Sequence, residues 1–348
     1  MTDEVLLRVE GGLGRITLNR PKAINALTHN MVRAIDATLI AWAADRKVRA
    51  VLIEGAGARG LCAGGDIRAI YEDARGGGSA SLKFWADEYR MNARIGRYPK
   101  PYVALMDGIV MGGGVGVSAH GSIRVVTERT RLAMPEVGIG LVPDVGGTYL
   151  YSRAPGELGT YLALTASSLS AADAIHCGLA DHFVPAEKLP AVVADLTRGV
   201  NPARAVAARA QQPGESALAA QAPWIDACFA ADSVPEILRR LTESHNEDAI
   251  AAAKEIQQKS PTAVTITLAA LRQARRADNL ESALEMEYRI SARCLRDDDL
   301  TEGIRAQIID KDRAPKWSPA DLADIDPDSV ASRFAPTIPL FEIATPRS

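Results

Sequence analysis

The sequence predicts an α/β protein with a mainly helical C-terminal part, and three observations carry that prediction. Up to about residue 190, short apolar runs rich in β-branched residues alternate with glycine turns and helix-like stretches. From about Leu196, alanine and charged residues dominate and strand-like runs nearly vanish. The 348 residues are 47% hydrophobic and 24% charged, which fits a globular chain and excludes a disordered or fibrous one. The shift in character divides the chain into regions 1–195 and 196–348, and the irregular strand spacing does not suit a simple doubly wound sheet.

The elements follow in order. Alternation around Leu7–Val9 and Arg15–Asn19, with Gly11, Gly12 and Gly14 between, predicts a β-hairpin. Pro21 stops the second strand. Met31, Ile35, Leu39 and Trp42 then fall at helical spacing behind Thr28, a natural N-cap. Val48 to Ile53 reads as a buried strand ending at Gly55, and Tyr102–Met106 and Ile123–Thr127 as two more. The last part reads as helical. Pro315, Pro319 and Pro327 suggest a looser end, and Asp321–Asp328 reads as a solvated acidic tail.

Composition narrows the function classes. Forty Lys and Arg stand against 43 Asp and Glu, a net charge of -3, so no general basic field exists to attract nucleic acid or an anionic membrane. The sequence shows neither a readable signal peptide nor a membrane-length apolar window. Cys62, Cys177, Cys228 and Cys294 are far apart and form no CxxC pair, which predicts reduced, buried thiols in a cytoplasmic protein. The five histidines lack ligand spacing, so no metal is expected. His176 and Cys177 read as packing residues of a helix, and Met286 with Tyr288 as a core or interface face.

Three segments can carry chemistry. Cys62-Ala63-Gly64-Gly65-Asp66-Ile67 and Met111-Gly112-Gly113-Gly114-Val115-Gly116 each put glycines before a helix-permitting run. There a ligand can approach main-chain N–H groups closely, and two such turns can form an oxyanion hole. Glycine turns of this kind also serve simply to let helix and strand pack. The third segment, Met134 to Gly147, places Glu136 and Asp144 in an apolar, glycine-rich stretch, where burial and mutual repulsion suit acid, base or nucleophile roles. The same two acids could instead cap a turn and a helix. A Cys62–His120 dyad, suggested by the closeness of both residues to the glycine segments, is disfavoured.

Taken together, these segments resemble the crotonase, or enoyl-CoA hydratase/isomerase, superfamily. The resemblance runs through ITLNRPKAINAL, CAGGDI, GIVMGGGVGVSAHG and AMPEVGIGLVPDVGGTYL in order, resuming at KSPTAV and EGIRAQIIDKDRAPKW. It implies a spiral ββα core, an acyl-CoA substrate with CoA as product rather than cofactor, and an oxyanion hole from the N–H groups of Gly65 and Gly113. By the same resemblance Lys22, Ala23 and Ile24, with Ala63, Gly64, Asp66 and Ile67, line the CoA channel, and nearby basic residues meet the CoA phosphates; family members assemble through helical surfaces, which leaves a homo-oligomer open for this chain without fixing it. Hydratases of this family carry a glutamate three residues after the oxyanion glycine, where this chain has Gly116. Instead it has Asp144 eight residues after Glu136. That pattern, with WADEYRMNARIGRYPKPYVAL and EMEYRISARCLR, looks like the 3-hydroxyisobutyryl-CoA hydrolase branch, which implies thioester hydrolysis in valine breakdown and a substrate contact from Glu88. An enoyl-CoA hydratase or isomerase using Glu136 alone, or a non-catalytic acyl-CoA-binding protein, are the alternatives.

Overall fold

The computed structural model describes residues 3–336, 340 and 341. Strand β1 (Val5–Glu10) pairs antiparallel with β2 (Leu13–Leu18) across Gly11 and Gly12. Both glycines have positive φ, as a two-residue turn between right-twisted strands requires. Pro21 opens a 3-10 turn, and helix α1 (His29–Ala44) begins as expected, with Thr28 Oγ1 accepting from the Met31 N–H at 3.2 Å. It buries Met31, Ile35, Leu39 and Trp42, the stripe visible in the sequence.

The chain continues through β3 (Ala50–Gly55), β4 (Gly60–Cys62), α2 (Ile67–Arg75), α3 (Ala80–Gly96), β5 (Tyr102–Met106), β6 (Ile109–Met111) and α4 (Gly113–Gly116). Then come β7 (Ile123–Val126), β8 (Arg131–Ala133), α5 (Gly147–Tyr151), α6 (Leu158–Thr165), α7 (Ala171–His176) and β9 (His182–Phe183). The main sheet has the order β1-β2-β3-β5-β7-β9, parallel everywhere except at the hairpin. It is covered on both faces: Val51 and Ile53 of β3 join one apolar cluster, while Ala50 and Leu52 join another with Val184, Val192 and Leu196. Burial on both sides explains why β3 reads as a continuous apolar run.

A second parallel sheet, β4-β6-β8, is absent from the sequence reading. Its strands are three residues long, too short for an alternation to show. This small sheet organises the molecule, because the segments after its three strands, Ala63–Gly65, Gly112–Gly113 and Pro135–Glu136, all leave its C-terminal edge and converge there. Parallel strands present their following loops on one side.

Helices fill the remainder as expected: α8 (Leu189–Thr197), α9 (Pro202–Ala207), α10 (Ala217–Phe229), α11 (Val234–Glu243), α12 (Glu247–Gln257), α13 (Pro261–Ala274), α14 (Leu280–Cys294), α15 (Asp298–Ile304) and α16 (Pro327–Ser332), with a π-helical turn at Arg305–Ile309. They share a core with the sheets, since one apolar cluster runs from Val5 through Ile290 to Leu340. Met286 lies in that cluster and Cys177 is buried, but His176 is exposed. The acidic stretch is solvated, with Asp321, Asp324, Asp326 and Asp328 exposed, but it is not loose. Asp326 caps α16 by accepting from the N–H groups of Asp328 and Ser329, and Leu322, Val330 and Phe334 pack on the main cluster. Among the described residues, no helix is long and apolar enough to cross a membrane.

Candidate active site

A cavity of about 510 Å³ opens at the C-terminal edge of the small sheet. Its wall includes Ala63, Gly64, Gly65 and Ile67 from the loop after β4, Gly112 and Gly113 after β6, Glu136 after β8, and Asp144. Helix α3 closes one side with Phe84, Trp85 and Glu88, the last two also among the most buried side chains of that helix. Lys259, Gln307 and Ile308 come from the C-terminal helices. Lys259 is held 3.3 Å from Glu255 and, among the described residues, is the cation of the cavity wall.

The two glycine loops abut: a Cβ on Gly64 would lie 3.5 Å from the Met111 carbonyl and 3.8 Å from the Gly113 nitrogen. Among the described residues, the N–H groups of Gly65 and Gly113 have no hydrogen-bond acceptor. Side chains crowd against the second loop. A Cβ on Gly113 would come 2.6 Å from Glu88 Oε1, and one on Gly112 would come 3.0 Å from Glu136 Oε1. Only glycine lets both carboxylates approach the main chain so closely.

Three carboxyls therefore share one buried space. Glu88, Glu136 and Asp144 are all buried, and among the described residues Glu88 Oε1 and Glu136 Oε2 have no partner. Burial, reinforced by the Asp144 charge, pushes Glu88 and Glu136 well above the ordinary glutamate range. Asp144 is raised by burial to about 6, and the Tyr89 hydroxyl counters the rise by donating to Oδ2 at 2.7 Å. Of the three, Asp144 is the one that receives a side-chain hydrogen bond, from Tyr89.

Behind Asp144 stands a layer that the sequence reading took no further than a packing face at Met286 and Tyr288. Tyr89 is itself 3.1 Å from Ser291 Oγ, and its ring meets Tyr288 edge-on at 6.2 Å. Glu287, wholly buried, accepts from the N–H groups of Gly146 and Thr148 at 2.7 and 2.9 Å and from the Thr148 hydroxyl. Burial raises Glu287 to about 8 against the pull of those donors. Both motifs that contain these residues were visible, but nothing in one sequence says which of their polar side chains turn inward.

Other sequence candidates fall elsewhere. Lys22, Ala23 and Ile24 do not line the cavity; their turn braces it from outside, the Ala63 N–H donating to the Ile24 carbonyl at 2.9 Å. Asp66 also stands off the wall, paired with Arg20 at 3.0 Å. Cys62 is buried and its thiol is pushed up to about 12 by desolvation, while His120 Nε2 donates to the Val145 carbonyl at 2.8 Å. The two form no dyad. Gly116 has no room for a side chain, because its Cβ would meet Val145 Cβ at 2.7 Å and Asn92 Nδ2 at 2.8 Å.

This fold, with its convergent glycine loops and buried carboxyls, agrees with the family comparison: the model described as enoyl-CoA hydratase/isomerase matches residues 13–334, and the chain belongs to that family. The chain is 44% identical to the 3-hydroxyisobutyryl-CoA hydrolase, mitochondrial, of Danio rerio over 95% of its length and 89% of that protein. It is 42% identical to the protein of the same name from Homo sapiens, over 95% and 88%. Among solved structures it resembles one titled a carnitinyl-CoA dehydratase from Mycobacterium thermoresistibile, with 52% identity, a TM-score of 0.95 and coverage of 99% of this chain and 100% of that one. It also resembles one titled an enoyl-CoA hydratase from Rhodobacter sphaeroides 2.4.1, with 43% identity, a TM-score of 0.91 and coverage of 96% and 97%.

Proposed function

We propose that this chain hydrolyses the thioester of 3-hydroxyisobutyryl-CoA, or a closely related 3-hydroxyacyl-CoA, to the hydroxy acid and CoA in valine breakdown. The observation that carries the reading is one cavity that holds Glu136 against Gly112, Asp144, and the two glycines Gly65 and Gly113, whose N–H groups have no acceptor among the described residues. The names of the curated relatives support the same reaction.

As the thioester carbon becomes tetrahedral its oxygen gains charge, which the N–H groups of Gly65 and Gly113 stabilise more than they stabilise the planar ground state. In one route a Glu136 oxygen bonds to that carbon, the C–S bond breaks, CoA leaves as thiolate, and water then opens the resulting anhydride. In the other, Glu136 takes a proton from the water that attacks. In either, Asp144 orients or activates water. Glu88, held beside Gly113 with an Oε1 that has no partner among the described residues, contacts the substrate hydroxyl. CoA enters as part of the substrate and leaves as product, so no further organic cofactor takes part.

The dehydratase and hydratase titles of two similar structures favour a second reading, water addition or removal by Glu136 alone. Against it stands the filled space over Gly116, where no second acid fits. Four buried, unbridged cysteines suit a reducing compartment; we propose the cytoplasm, while the animal relatives are named as mitochondrial. The deciding experiment is thiol release from 3-hydroxyisobutyryl-CoA with crotonyl-CoA hydration followed in parallel. Thiol release without hydration supports the hydrolase; hydration without thiol release overturns it.

A further inference from the structure

The turn that presents Asp144 is held in an unfavourable conformation. Val145 has φ 52, in the left-handed region, and Gly146 follows at φ 84. A β-branched residue rarely adopts that conformation, which is strained and persists only where the surroundings over-determine it. The surroundings here are explicit. His120 Nε2 donates to the Val145 carbonyl at 2.8 Å, with burial pushing the imidazole down to about 4 so that it stays neutral. The Gly147 N–H closes the turn onto the Asp144 carbonyl at 2.6 Å. Glu287, reaching in from α14, grips the two far N–H groups, with Oε2 on Gly146 and Oε1 on Thr148 and its hydroxyl.

The conformation has two consequences at the cavity. It aims the Asp144 carboxylate at Tyr89 and the cavity, and it lays the Val145 side chain over Gly116. An apolar residue at 287 would fill the same volume without the desolvation penalty of a carboxyl. What the carboxyl adds is acceptors for the turn.

We infer that Glu287 is a positioning residue: by accepting from Gly146 and Thr148 it holds the Asp144–Thr148 turn in the left-handed conformation that sets Asp144 into the cavity and Val145 over Gly116. The inference deepens the proposed hydrolysis and rests on it for its kinetic readout alone.

The test is Glu287→Gln, assayed near pH 9 where the Glu287 carboxyl, raised to about 8, is ionised; it replaces one acceptor by an NH₂ that faces a backbone N–H. In the hydrolase assay kcat should fall about tenfold or more, as expected for a misplaced catalytic group, while KM stays within about twofold because the glycine loops are untouched. A crystal structure of the variant should show Asp144 withdrawn from Tyr89. Val145→Gly should lessen the loss, since glycine takes a left-handed φ freely; Glu287→Gln should therefore cost less in the Val145→Gly background than in wild type. Wild-type kcat with the Asp144–Tyr89 bond intact, or an equal loss in both backgrounds, overturns the inference. Should Glu287→Gln not yield soluble protein, Thr148→Val removes a single donor, and the same comparison applies with a smaller loss. If the wild type releases no thiol, the hydrolase reading falls, yet the Asp144–Tyr89 distance in the variant still decides the role of Glu287.

Discussion

Tyr89 donates a 2.7 Å hydrogen bond to Asp144 Oδ2, linking the buried face of α3 to the turn before α5. The preceding residue on that helix, Glu88, faces the cavity, so adjacent positions supply a cavity-facing carboxyl and the donor that steadies another. Tyr89→Phe keeps the ring and removes only the donor. Asp144 then loses the one side-chain group that opposes its upward shift, so the acid limb of the kcat/KM profile should move to higher pH. The loss near neutrality should be about tenfold, the size of a lost charge-assisted bond. Superimposable pH profiles for wild type and variant would contradict this role.

Glu136→Gln and Asp144→Asn test the chemistry directly. General acid–base groups contribute about 10²–10⁴-fold, so thiol release should drop by at least that order in each variant. Binding of a CoA ester, read by calorimetry, should persist because the glycine loops are unchanged. Turnover at the wild-type rate in either variant would remove that residue from the mechanism.

The raised carboxyls also make a stability prediction. Between the unfolded value near 4.5 and the higher folded value of Glu136, the native state holds the proton more tightly, so folding stability falls as pH rises through that window. A neutral amide has no such loss. Glu136→Gln should thus melt about 2 °C or more above wild type at pH 8, with the gap closing near pH 4. A gap independent of pH would show that the buried charge is not its source.

Two glycines should be intolerant for different reasons. In Gly113→Ala the new Cβ would crowd Glu88 Oε1 at 2.6 Å and Leu27 Cδ1 at 3.1 Å, shifting the loop whose N–H is proposed to hold the oxyanion. Loss of one such donor lowers kcat about 10²–10³-fold, and steady-state kinetics should show a fall of that size with a smaller change in KM.

Gly116→Glu should lower the melting temperature and yield no efficient crotonyl-CoA hydration, because Val145 and Asn92 occupy the space its side chain needs. Hydration at a rate matching the variant's own thiol release would refute that account.

Much of the fold was legible in the sequence because its signals are local. The Gly11–Gly12 hairpin, the Thr28 cap and the apolar stripe of α1 depend on residues near one another in the chain. The motifs around Gly65, Gly113 and Glu136 were likewise visible as runs of unusual composition. The three-residue strands β4, β6 and β8 left no such trace, since they exist only through pairing with one another.

The sequence by itself determined the α/β class, the helical C-terminal region and the residue types available for chemistry, because periodicity, glycine content and capping act within a few residues. Only the tertiary structure decided which acids share a cavity. Glu88 and Asp144 are 56 positions apart, and Glu287 reaches the Gly146 N–H across 141 positions. Whether such groups meet, and how far burial then shifts their ionisation, depends on packing between distant elements, which local pattern does not encode.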